Sequence, residues 1–170
     1  MTRCTLEHIP VGGADAAEHR ACLEACHALR RVVFVDEQRV DASLEWDDLD
    51  ALAEHFLARR TGDALPLGTA RLRVVAGRAK AERVAVRADA RKTGVGRTLM
   101  EALEVRARAR GCEEIVLDAQ LSALPFYEAL GYVAEGPVFE EAGIDHRAMR
   151  RVLGENERPA TPTGDASPNG

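Results

Sequence analysis

The chain has 170 residues, 46% apolar and 30% charged, with four cysteines and a formal charge of −5. A chain of this length can bury roughly 70% of its unfolded surface, which excludes disorder throughout and makes a metal or disulfide staple unnecessary for a core. No run approaches the ~18 apolar residues of a membrane span and no signal-like stretch follows the first residues, so a cytoplasmic protein without a membrane partner is expected. Acids outnumber bases 28 to 23, which argues against general nucleic-acid binding. Cys4, Cys22, Cys26 and Cys112 lack paired C-x-x-C spacing, so neither a zinc ribbon nor a redox pair is indicated and no metal is expected.

Residues 5–9 alternate in polarity and stop at Pro10, as a strand does. Residues 14–33 place Ala17, Cys22, Leu23, Cys26, Leu29, Val32 and Val33 at three-to-four spacing, which predicts an amphipathic helix. An acidic stretch around Trp46 follows as loop or short helix. Residues 55–60, 67–75 and 80–86 read as three strands, separated by the turn residues 61–63 and by Gly77, so the front half is an antiparallel meander. Residues 94–110 form the clearest helix, with Val95, Leu99, Ala102, Leu103 and Val105 on or near one face and Gly111 as its stop. The apolar run 114–119 suits a central strand. Residues 122–130 read as a short helix, with Pro125 near its start and Gly131 past its end, and 132–139 and 146–153 as two last strands. Residues 155–170 hold almost nothing to bury and are expected to be a disordered tail beyond one domain at 1–154.

Charge is sorted along the chain. Residues 36–54 carry eight acids and one base, whereas residues 83–110 carry eight bases and three acids. Two solvated surfaces would give the same counts, but one segment can favour a cation and the other an anion. The stretch Arg91-Lys92-Thr93-Gly94-Val95-Gly96-Arg97-Thr98 lies between a strand and the long helix. A helix N-terminus offers unpaired backbone N–H groups and the positive end of the helix dipole, and glycines let a phosphate approach them. The chain has no G-x-x-x-x-G-K-[ST], which excludes a P-loop. A dinucleotide fingerprint needs a third glycine where Leu99 stands, although Asp118 falls near the place of a ribose-binding acid.

Arg91-x-x-Gly94-x-Gly96 resembles the pyrophosphate motif of the GNAT (Gcn5-related N-acetyltransferase) family. Ala123-Leu124-Pro125-Phe126-Tyr127-Glu128-Ala129-Leu130-Gly131-Tyr132 resembles that family's second motif, and the order of elements over residues 3–153 is similar to its fold. Arg31-Val32-Val33-Phe34-Val35-Asp36-Glu37-Gln38, Glu45-Trp46-Asp47-Asp48-Leu49-Asp50, His55 and Gly143-Ile144-Asp145-His146-x-x-Met149 resemble the ElaA-like subgroup. Two departures stand out: Gln120-Leu121-Ser122 replaces an asparagine common before the motif tyrosine, and Lys92 stands where a glycine is frequent.

The resemblance implies an α/β (α+β) fold whose mixed, mostly antiparallel sheet has six to seven strands and about four flanking helices. It implies acetyl transfer from acetyl-CoA to a primary amine of a small molecule or peptide, by direct attack in a ternary complex. Coenzyme contacts are then expected from Val84, Ala85 and Val86 on a bulged strand, and from Arg91, Lys92, Thr93, Gly94, Val95, Gly96, Arg97 and Thr98. Tyr127 matches the tyrosine that serves the leaving sulfur. For the base, Glu37 and Glu82 rank equal, with His55 third. Glu45, Asp47, Asp48 and Asp50 would form a negative rim that attracts a cationic amine, with Asp47, Asp48, Asp50 and His55 as substrate contacts. Two other readings remain open: a module that binds CoA without turnover, and an acyl-homoserine-lactone-synthase-like acyltransferase, which Arg31, Phe34 and Glu45-x-Asp47-x-x-Asp50 also resemble. The sequence leaves assembly open, a homodimer included.

Overall fold

A computed structural model describes residues 1–154, and the expected tail at 155–170 lies outside the described residues. The strands are β1 (Cys4–Ile9), β2 (Glu54–Arg60), β3 (Pro66–Val75), β4 (Arg78–Val86), β5 (Glu114–Gln120), β6 (Val133–Glu141) and β7 (Ile144–Val152). The α-helices are α1 (Arg20–Arg30), α2 (Ala42–Glu45), α3 (Val95–Ala109) and α4 (Leu124–Ala129). One seven-stranded sheet runs in the order β1-β2-β3-β4-β5-β7-β6. Every neighbouring pair is antiparallel except β4 and β5, which are parallel because α3 carries the chain across between them. This is the mixed, mostly antiparallel architecture expected.

The alternation of side chains gives the sheet two unlike faces. Phe56, Ala58, Ala70, Leu72, Ala79, Ala81, Ile115, Leu117 and Met149 point to α3 and α4 and form the main core with Leu99 and Leu103. Leu99, Leu103 and Ile115 are fully buried, each worth about 1.5–3 kcal/mol relative to exposure. The other face packs α1 over β1 and β2, through Ile9, Cys22, Cys26, Leu29 and Leu57, and then turns polar toward β3, β4 and β5. Arg71, Glu82, Lys80, Asp118, Gln120 and His146 share that face, as the paired registers require.

Three local expectations are corrected. The helix expected over 14–33 is α1, begun by a 3-10 turn at Ala17–His19 and continued by a wider π segment, Arg31–Glu37, where Gln38 N–H donates to Val33 O at 3.1 Å. Val105, expected on the core face of α3, is 63% exposed; the buried residue there is Glu104, which receives Arg151 and the Tyr132 hydroxyl. The last strand starts at Ile144, not 146, because Ala142 and Gly143 both have positive φ (53° and 77°) and close a two-residue hairpin with Glu141 opposite Ile144.

Candidate active site

β4 and β5 touch over two residue pairs, Ala79 with Ile115 and Lys80 with Val116, and then diverge. The divergence coincides with a bulge in β4. Arg71 faces Glu82 and Thr69 faces Ala85, so β4 carries one residue more than β3 across this interval, and Arg83 takes a left-handed φ of 53° there. Past the bulge, Arg87 N–H donates to Leu67 O at 2.9 Å on the β3 side. Strand alternation therefore turns the N–H of Val86, and before it that of Val84, toward the opening. The cavity so formed measures about 510 Å³ and is lined by Val84, Ala85 and Val86, by β5, by the π segment, by Tyr127 and by the β6–β7 hairpin.

The basic loop lies at one mouth. Lys92 (φ 62°) and Gly94 (φ 97°) are both left-handed, which curls successive amides to one side before α3 begins at Val95. Glycine adopts that backbone at no steric cost; Lys92 adopts it with a side chain, so its departure from the family pattern is conformational as well as electrostatic. Among the described residues the N–H groups of 92–97 find no backbone acceptor, as suits an anion cradle. Gly96 is fixed by a close approach: a Cβ there would lie 3.0 Å from the Phe126 ring. The hydroxyls of Thr93 and Thr98 donate to Ala90 O (2.7 Å) and Gly94 O (3.1 Å); the Thr98 N–H also donates to Gly94 O at 3.0 Å, so the open amides end at residue 97. Arg91 is held by Glu37 at 2.6 and 2.8 Å, and Lys92 and Arg97 are exposed.

Tyr127 enters from α4 on the α3 side of the sheet. Its ring meets Phe126 and Tyr132 edge-on, at 4.9 and 5.8 Å between centroids. Burial pushes its phenol well above the usual range, which keeps it a proton donor. A neutral hydroxyl in a dry wall can hydrogen-bond a leaving sulfur.

The acids expected to form a rim are bound elsewhere. Arg71 is 1% exposed and donates to Asp47, Asp50 and Glu82; Arg30 is equally buried and donates to Glu45 and Asp50. Two buried guanidiniums need counter-charges, and these carboxylates supply them. Arg83 extends the network to Asp47 and Glu45, and so ties the bulge to the segment after α2. His27 adds a fourth contact to Asp50 at 3.0 Å. For Asp50, burial would raise the pKa, but His27, Arg30 and Arg71 together pull it far below the carboxylate range. Asp47 is likewise lowered, burial being outweighed by Arg71. Asp48 is exposed and does not line the cavity. His55 is 1% exposed, bonded to Asp50 O at 2.9 Å, and pushed by burial toward its neutral form. Neither Asp47, Asp50 nor His55 reaches the cavity wall.

Of the base candidates, Glu82 lines the cavity but is shared by Arg71 and Arg73. Burial works to raise its pKa, and the hydrogen bonds from Arg73 and the charge of Arg71 more than reverse that. Glu37 is outside the wall and held low by Arg91. The acidic spacing that resembles the lactone synthases is an internal bonding pattern here: Arg30, not Arg31, holds Glu45 and Asp50, and Arg31 is exposed. Sequence reasoning passed over Arg30 and Arg71, and over Gln38 and Gln120, whose side chains bridge the cavity mouth at 2.7 Å. Polar residues of a strand that recur on one face, Arg71 and Arg73 opposite Glu82 and Lys80, were the available signal. The described residues contain no group of three or more side chains arranged to hold a metal, and no helix long and apolar enough to cross a membrane.

The site is thus a slot between diverging parallel strands, with an amide cradle at a helix start on one side and a buried tyrosine in its wall. The profile of the acetyltransferase (GNAT) domain matches residues 31–153. The chain is 38% identical over 139 residues to an N-acetyltransferase of Bacillus subtilis named YjcF, covering 81% of this chain and 98% of that protein. It superposes on an acyl-CoA N-acyltransferase from Pseudomonas aeruginosa with a TM-score of 0.72 and 32% identity, covering 89% and 100% of the two chains. Escherichia coli ElaA shares the fold at a TM-score of 0.72 and 23% identity, over 88% and 99%. The chain belongs to the GNAT acetyltransferase family and is an acyltransferase of that class.

Proposed function

We propose that this protein transfers an acetyl group from acetyl-CoA to a primary amine of a small molecule or peptide, by direct attack in a ternary complex. The divergence of β4 and β5 at the Arg83 bulge carries this reading, because it opens one slot between the amide cradle and the polar face of the sheet. In this reading the pyrophosphate lies on the N–H groups of residues 93–97, with the side chains of Lys92 and Arg97 beside it. The thioester lies along Val84–Val86, where strand amides stabilise the developing oxyanion. The amine lone pair attacks the carbonyl carbon, and the C–S bond then breaks with its electron pair moving to sulfur. Tyr127 donates its proton to that sulfur, an assistance of about 10- to 100-fold for a leaving group as good as a thiolate. Four cysteines without a disulfide suit a reducing, cytoplasmic setting.

The test is a panel of amines and peptides with acetyl-CoA, read by release of free thiol. Saturable turnover with at least one amine supports the reading. Tight CoA binding without turnover across the panel would instead make this a CoA-binding sensor.

A further inference from the structure

Glu82, Glu37 and His55 are each engaged by a partner that removes their basic lone pair or hides it, and yet an alkylammonium must lose a proton before it attacks. Most carboxylates of the cavity wall are neutralised by partners of their own. Glu45 is held by Arg30, Glu82 by Arg71 and Arg73, and Asp118 by Lys80 at 3.3 Å. Besides the Tyr127 phenol, two titratable groups of the wall have no ion pair among the described residues, Glu141 and His146, both on the β6–β7 hairpin. Glu141 is exposed, whereas His146 is partly buried.

The ring of His146 is oriented from two sides. Nδ1 lies 2.7 Å from Ile144 O, and a carbonyl can only accept, so Nδ1 carries the hydrogen. In the neutral ring this leaves the Nε2 lone pair unshared. Phe139 stacks on the imidazole at 5.9 Å and 21° between planes. Register places His146 opposite Gln120, on the sheet face that also bears Asp118 and Glu82 and opposite to the α4 side from which Tyr127 enters. Both residues line the same cavity. A thioester held in the slot would then meet a proton donor from one face and an unshared lone pair from the other.

We propose that His146 is the general base of the reaction, acting through Nε2 on the acceptor amine. The assignment deepens the acetyl-transfer reading and rests on it. Nε2 first takes one proton from the ammonium and passes it to solvent, which frees the lone pair for attack; as the N–C bond forms and the C–S bond breaks, Nε2 takes the second proton lost by that nitrogen. Tyr127 gives one to sulfur, and the imidazolium returns its proton to the tyrosinate through solvent. The products are the amide and the free thiol.

The experiment compares wild type with His146→Gln, His146→Ala and Glu141→Gln, using the best amine of the panel, with folding checked by thermal melting and CoA affinity by calorimetry. His146→Gln is expected to lower kcat by about 100-fold or more, the general-base range, with CoA affinity unchanged. The acid limb of the pH–rate profile should disappear with it, and added imidazole should restore part of the activity of His146→Ala. The charged groups around the ring are Asp118 with Lys80, Glu82 with Arg71 and Arg73, and Glu141, while Asp145 and Arg147 alternate to the opposite face. Glu141→Gln is the control for the one unpaired acid among them and should keep the acid limb. A folded His146→Gln enzyme with near wild-type kcat and an unchanged profile overturns the assignment and leaves acetyl transfer standing; loss of the limb in Glu141→Gln alone moves the base to Glu141. If the wild type turns over no amine, acetyl transfer fails first and this assignment with it.

Discussion

Glu37 and Arg91 face each other in a two-bond fork, 2.6 and 2.8 Å long, that joins the end of the π segment to the basic loop. The same guanidinium donates through Nε to Val86 O at 3.1 Å, so one side chain touches the loop, the bulged strand and the cover of the cavity. The carboxylate takes the edge of Arg91 that a phosphate would take. Glu37→Gln should therefore raise CoA affinity by about 2- to 5-fold, the range of one exposed ion pair, and the gain should shrink at high salt. Calorimetry at two ionic strengths checks it. A fall in affinity would mean that Glu37 shapes the loop for the ligand instead of competing with it.

Gly96 lies where the helix start meets α4. Gly96→Asp adds a Cβ at 3.0 Å from the Phe126 ring and a negative charge among the amides. CoA affinity should fall at least 10-fold by both effects, one steric and one electrostatic. Gly96→Ala carries the steric part alone and should cost less. Equal affinity for folded Gly96→Asp and wild type would remove the loop from the coenzyme site.

The hydroxyl of Tyr127 is separable from its ring. Tyr127→Phe keeps the edge contacts with Phe126 and Tyr132, so the fold and CoA affinity should change little while kcat falls about 10- to 100-fold. Pre-steady-state measurement shows whether chemistry limits the rate. An unaltered rate of the chemical step would make Tyr127 a packing residue.

The buried arginines predict acid sensitivity. The pKa of Asp50 is raised by burial and then drawn well below the usual range by His27, Arg30 and Arg71; Asp47 and Glu82 are also net lowered. A carboxylate lowered in the folded state adds stability above its unfolded pKa, about 3.9 for aspartate, and loses that contribution as pH falls through the folded pKa. Melting temperature should therefore vary little from neutral pH to about pH 5 and drop below about pH 4. Asp50→Asn leaves part of two buried positive charges unbalanced, and should cost about 3 kcal/mol or more at neutral pH and flatten the acid slope. Denaturant melts across pH measure both, and an unchanged slope would show that the network contributes no pH-dependent stability.

Local chemistry made much of the fold legible. The alternation of β1, the four-residue spacing along α3, the glycines at 94 and 96 and the Pro125–Gly131 frame of α4 each act over a few residues, and each is visible in the order of the chain. The anion loop was legible for the same reason, since its donors are consecutive amides. Where the sequence misled, the decisive partner came from far away. The acids of residues 45–50 looked like a free surface because nothing near them is basic, and Arg71 and Arg83 reach them across 21 to 38 residues. Val105 fits the apolar pattern of α3 and is exposed, whereas Glu104 is buried because Arg151 and Tyr132, from other elements, meet it.

By itself, then, the sequence determined the order and type of the elements, the amide cradle and the motif tyrosine, because propensity, periodicity and a helix start are properties of neighbouring residues. Only the tertiary structure decided which charges are free. Pairing Arg71 with Glu82, turning β4 out at Arg83 and pairing the last hairpin beside β5 engage Glu45, Asp47, Asp50 and Glu82 with buried guanidiniums and leave His146 open to the cavity. Whether a carboxylate is a base or a counter-ion depends on the charge a few ångströms away, and that distance is set by strand register, which no local pattern contains.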